Sequence, residues 1–185
     1  MQRRSTRRRF LAVGIGAAAL TAGCIGQSPV PEEFERIGGT PSPTPREKLT
    51  DEPADLLLEP TSLSEGSSYN FTDPTTRETQ SGQSVNYQVQ EDGSYSHQVT
   101  IGLTRRQTID GAVFDHEMLV ETYTDEHDAT VERLDFGDTG SLVTFSDEAH
   151  AIVTYRNVIV HVVSYGGPPE QAVEIARRQI TDLQT

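Results

Sequence analysis

Apolar and polar residues along the second half of the chain repeat in two distinct periods. "SVNYQVQ" (84–90) and "YSHQVTIGL" (95–103) alternate every second residue, the period of a half-buried strand, and "EDG" (91–93) between them has turn chemistry. Together they predict a β-hairpin. From Asp110 to Tyr123 the period becomes that of a helix, with Ala112, His116, Leu119 and Tyr123 on one stripe flanked by Val113 and Val120. Glu117 and Glu121 point away, while Phe114 and Met118 add apolar surface on a second side, so both faces are expected to be partly covered.

Four more strands follow: "ATVERLDF" (129–136), "GSLVTFS" (140–146), "AHAIVTY" (149–155) and "VIVHVVSY" (158–165). A tight turn at Arg156-Asn157 joins the last pair, and the nearly unbroken apolar run Val158–Val163 predicts a central strand. "GGPP" (166–169) ends the sheet. A final helix starts at Pro168 or Pro169 with Glu170 in its first turn. Ala172, Ile175, Ala176, Ile180 and Leu183 form its apolar stripe, and Arg177 and Arg178 lie toward its negative C-terminal end. Upstream, a short helix is expected over Pro53–Leu58, capped by Thr50 or Asp51 and stopped by Pro60.

The order hairpin, helix, strands, helix predicts one small α+β domain over 51–185. Its sheet should be mainly antiparallel, with one or two helices packed on one face, including the C-terminal amphipathic one. From about Asp55 to Leu183 the pattern resembles Mog1/PsbP-like domains, including those on exported actinobacterial lipoproteins. The "YRNVIVHV" hairpin (155–162) feeding the terminal helix carries most of that resemblance. It implies no shared catalytic residues.

A different pattern occupies the N-terminal stretch "TRRRFLAVGIGAAALTAGC" (6–24). Its apolar part, Phe10–Ile25, is 16 residues long and mostly Ala and Gly, whereas a spanning helix needs about 20 predominantly apolar residues. Gly14-Ile15-Gly16 imitates a dinucleotide-binding glycine loop but follows arginines instead of a strand. A basic region, a short apolar region and small residues before a cleavage point form a secretory signal. Arg7, Arg8, Phe10 and Leu11 resemble the twin-arginine export motif. Leu20, Thr21, Ala22 and Gly23 before Cys24 resemble a lipobox, with Thr21 standing where the pattern usually has Leu. The resemblance implies cleavage after Gly23, lipidation of Cys24 and anchoring to the outer face of the cell membrane. Residues 24–50, rich in Pro, Thr, Ser and Gly, then read as a disordered tether. It would reach roughly 30 Å as a coil and up to about 80 Å if proline stiffens it.

Charge sharpens this picture. The chain has 28 acidic and 15 basic residues, and five of the basic ones are the arginines ahead of Cys24. The mature chain would keep ten basic against 28 acidic, a net −18, with Lys48 its one lysine. Such a surface repels itself unless salt screens it, and it resembles the proteins of extreme halophiles. Nucleic acid is not expected as a partner, because neutralising phosphate requires a basic face. Cys24 is the sole cysteine, so no disulfide, zinc–thiolate site or dithiol pair can form within the chain.

Candidate chemistry is sparse. No G-x-S-x-G, P-loop or H-E-x-x-H motif is present. The best metal candidates are the run Asp125-Glu126-His127-Asp128 and, one helix away, Asp115 and His116. We prefer to read the run as an acidic helix end and loop, and His116 as a hydrogen-bonded histidine at the core edge, so no metal or cofactor is expected. His97 and His161, set among apolar strand residues, are expected to be structural or solvent-facing. Asn70-Phe71-Thr72 is an N-glycosylation sequon in what reads as a polar, exposed loop. The expected function is a membrane-anchored surface lipoprotein presenting a small non-catalytic domain, with an unidentified protein or small molecule as ligand. Two alternatives stand beside it: a surface enzyme with a metal-assisted acidic site at His116, Glu117, Asp125 and His127, and an accessory subunit of a membrane complex.

Overall fold

A computed structural model describes residues 47–185, apart from Ser68 and Gln80. The export motif, the lipobox, Cys24 and the tether up to residue 46 lie outside the described residues. The elements run α1 (Pro60–Ser64), β1 (Asn70–Glu78), β2 (Gly82–Glu91), β3 (Ser94–Arg105), α2 (Ile109–Glu126), β4 (Thr130–Arg133), β5 (Thr139–Phe145), β6 (Glu148–Tyr155), β7 (Val158–Tyr165) and α3 (Pro169–Asp182). The strands form one antiparallel sheet in the order β1-β2-β3-β7-β6-β5-β4. The α+β class read from the sequence is what the chain adopts, and the apolar strand β7 is the middle one of the seven.

Turn chemistry sets the hairpins. Asp92 and Gly93 both have positive φ, at 53° and 78°, the conformation of a two-residue turn whose twist matches the flanking strands. Ser146 (φ 51°) and Arg156 (φ 54°) occupy the same region at the β5–β6 and β6–β7 turns. Once these turns fix register, alternation assigns every side chain to a face. Val85, Tyr87 and Val89 of β2, Ile101 and Leu103 of β3, and Val158, Val160 and Val162 of β7 share the main core with α3. Ala172, Ile175, Ala176 and Ile180 of α3 are buried against them, each large aliphatic contributing about 1.5–3 kcal/mol on leaving water.

The opposite face belongs to α2. Ala112 packs there on Val143, Ile152 and Ile159, with Leu119, Val120 and Tyr123 alongside. The expectation of one or two helices on one face, the C-terminal one included, is met by α1 and α3, and α2 covers the other face. Unbroken apolar runs in β6 and β7 are buried on both sides, and such a sheet needs a cover on each. Phe114 (61 % exposed) and Met118 (45 %) remain open on the outer side of α2, so its second apolar side is not covered as expected.

Two further corrections come from the N-terminal side. Residues 53–56 form turns, 57–58 are irregular, and the helix begins at Pro60, which occupies the first helical position instead of ending a helix. The segment is strapped to the domain by two buried amides. Gln179 donates from Nε2 to the Leu56 carbonyl (2.7 Å) and accepts from the Leu58 N–H (3.1 Å). Asn157 accepts from the Leu49 N–H (2.7 Å) and donates to the Leu49 and Arg106 carbonyls. The second correction is β1, where the sequence suggests a loop. Asn70 is its exposed first residue, so the sequon lies on an edge strand.

Candidate functional site

α2 is capped by Thr108, whose side chain accepts from the Gly111 N–H at 3.0 Å. From there it crosses β4 to β7 and leaves β1 to β3 open on that face. Along its flank Asp115, Met118, Leu119 and Thr122 form a wall; Thr104 of β3 with Ile159 and His161 of β7 form the floor. The groove between them encloses about 410 Å³ and is also lined by Arg106. Arg106 is ion-paired with Asp115, so the groove holds a cation and an anion that cancel. Gly102 lies opposite His161 on the floor, and its missing side chain keeps that floor low between Thr100 and Thr104.

The inner end of the floor is a histidine chain. The Glu148 carboxylate meets His150 Nε2 at 3.0 Å, and His150 Nδ1 meets His161 Nε2 at 3.1 Å. Tyr123 covers His150 at 4.3 Å between ring centroids, Phe145 lies 5.0 Å from it, and His127 stacks on Phe145 at 4.1 Å. Burial pushes His161 down to about 3, with the neighbouring His150 adding to the effect. Burial also lowers His150, although Glu148 opposes it. Both rings are therefore neutral at pH 7, which assigns the protons along the chain. His150 donates from Nε2 to Glu148 and accepts at Nδ1 from His161 Nε2, leaving His161 Nδ1 as an acceptor.

The sequence-predicted site residues are dispersed. His116 is buried against the Ile152 backbone, and burial holds it below its usual range. Asp125 is exposed, and His127 is committed to Phe145. The metal candidates thus do not converge, and no group of three or more His, Cys, Asp or Glu among the described residues is placed to hold an ion. His97, buried on the α3 face, is structural: Gln171 and Ser96 satisfy its two nitrogens. Sequence reasoning passes over His150 and the partnership with His161. A usable signal was present in the Arg156-Asn157 turn. Its register pairs His150 with Val163 and Ile152 with His161, making the two histidines diagonal neighbours on one face.

Among the described residues no helix is long and apolar enough to cross a membrane. No protein-family model and no curated protein matches the chain. In fold it is similar to the extracellular domain of PknH from Mycobacterium tuberculosis, known from a crystal structure. The TM-score is 0.52 at 14 % identity, over 75 % of this chain and 98 % of that one.

Proposed function

We propose that this chain is a membrane-anchored cell-surface lipoprotein whose folded domain binds a ligand without catalysis in the groove beside α2. The groove carries the reading. It is a concave site whose wall and floor both mix apolar and polar side chains around a neutralised ion pair, built on rigid elements, and these are the features of a pre-formed binding pocket. A likeness in fold to a domain described as extracellular supports an extracytoplasmic setting, and the lipobox-like Leu20–Cys24 supports a lipid anchor. Against the enzyme alternative, the acidic residues offered for it do not meet. The accessory-subunit alternative places binding on the acidic exterior instead.

An uncharged apolar fluorophore tests the groove. Wild-type full-length protein in detergent is expected to bind the dye saturably, and Thr122→Trp, an exposed wall position that would fill the space, should weaken binding by about tenfold, near 1.4 kcal/mol. Equal binding by the variant would remove the groove as the site and return attention to the acidic surface.

A further inference from the structure

Beyond the cover of α2, its side of the sheet continues as an open polar surface. β2 presents Ser84, Asn86 and Gln88 there, and β3 presents Gln98, Thr100 and Thr104. None is charged, in a chain with 28 acidic and 15 basic residues. The side chains are already oriented: Gln98 donates from Nε2 to Asn86 Oδ1 at 2.7 Å, and Asn86 donates from Nδ2 to Thr100 Oγ1 at 2.9 Å. This ladder leaves the Gln98 side-chain carbonyl and the remaining amide N–H groups for a ligand. At one end of the surface Tyr165 (38 % exposed) lies within hydrogen-bond reach of Thr100, and Tyr95 (64 % exposed) is paired with Gln90 on the neighbouring strand. The surface meets the α2 groove at Thr104 without a break.

Its chemistry selects among ligands. An anion would need several free basic side chains, whereas this face offers Arg77 alone, on the edge strand opposite Ser84, beside an Arg106 that Asp115 neutralises. A cation would need converging carboxylates, and beside this surface Glu148 stands alone, already accepting from His150. An apolar helix or strand would bury the amides of Asn86 and Gln98 without partners, at a cost of about 1–3 kcal/mol for each unsatisfied group. A neutral chain of hydroxyls has none of these conflicts. Sugar hydroxyls both donate and accept, matching the amide ladder, while their C–H faces can rest on the exposed parts of the Tyr95 and Tyr165 rings. We propose that the polar floor of β2 and β3, continuous with the α2 groove, binds an uncharged polysaccharide. The proposal rests on the groove reading above and adds the class of ligand.

Affinity electrophoresis of the full-length protein in detergent tests it, with a neutral glucan, mannan or galactan, or an anionic polysaccharide, cast in the gel. Retardation is expected in at least one neutral gel, equal at low and high salt because no charge is involved. Gln98→Ala and Tyr165→Ala should each reduce it by about tenfold while leaving thermal unfolding in place. Retardation only in the anionic gel, or in none, overturns the glycan assignment, as does full retention by both variants. The fluorophore measurement separates the two readings. Dye binding that Thr122→Trp abolishes, with no neutral gel retarding the protein, leaves the groove standing and removes the sugar. Absence of both removes the groove as well.

Discussion

At the scale of single residues, the three depressed histidines between α2 and the sheet, His116, His150 and His161, store a pH dependence. The sign follows from where protons bind. Unfolded, His161 takes up a proton below its ordinary 6.5, whereas folded it stays neutral down to about 3. The unfolded state therefore holds more protons across that window, and stability is full above 6.5 and declines as pH falls toward 3. His150 and His116 shift in the same direction because burial disfavours their charged forms. Each such histidine contributes at most about 1.4 kcal/mol per pH unit. Urea midpoints should fall between neutral pH and about pH 4.5, and His161→Gln should flatten that slope. A variant with the wild-type slope would show that carboxylates alone set it. Glu148 and the tyrosines Tyr123 and Tyr165 face the same cluster; burial raises both phenols, so they remain neutral throughout this range.

At the scale of elements, legibility tracked how regular each burial pattern is. β2, β3 and α3 repeat between core and solvent with a clear period, and β7 is an unbroken apolar run, so all four are visible in the residues. β1 was invisible because Phe71 is its one buried residue, Pro74 interrupts it, and a bulge with Asp73 at φ 49° shifts its register. An edge strand of this kind has no period to read. The strap over 49–58 was equally hidden, since amides far along the chain hold it. Gln179 is completely buried, and truncating it leaves the Leu56 carbonyl and the Leu58 N–H without their partner. Gln179→Ala is expected to cost about 2 kcal/mol or more in urea unfolding. Proteolysis should then cut first within 49–58, and an unchanged cleavage pattern would show that apolar packing of Leu56, Leu57 and Leu58 holds the strap by itself.

For the whole molecule, the central question is what the domain is attached to. The export-like motif at Arg7, Arg8, Phe10 and Leu11 and the lipobox-like Leu20–Cys24 predict a mature chain that begins at a lipidated Cys24. Mass spectrometry of the membrane fraction should find that N-terminus with added lipid mass. Cys24→Ser should release the protein or leave it uncleaved. A wild-type chain beginning elsewhere, or carrying no lipid, would refute the anchor. Two acyl chains are needed for stable attachment, each buried methylene contributing about 0.8 kcal/mol. A net charge of −18 on the mature chain would hold the domain off an anionic membrane.

The sequence by itself determined the α+β class, the hairpin turns, the central place of β7 and the apolar stripe of α3. Each of these depends on neighbours a few residues apart, where turn chemistry and periodicity act directly. Only the tertiary structure decided that α2 takes the face opposite α3 and stops short of β3. That placement makes the groove, joins His150 to His161, and leaves the uncharged amides of β2 and β3 open. Such features arise from residues distant in the chain that meet across strands. Which side of a sheet a helix covers is set by the summed burial on both faces, a quantity that no local pattern contains.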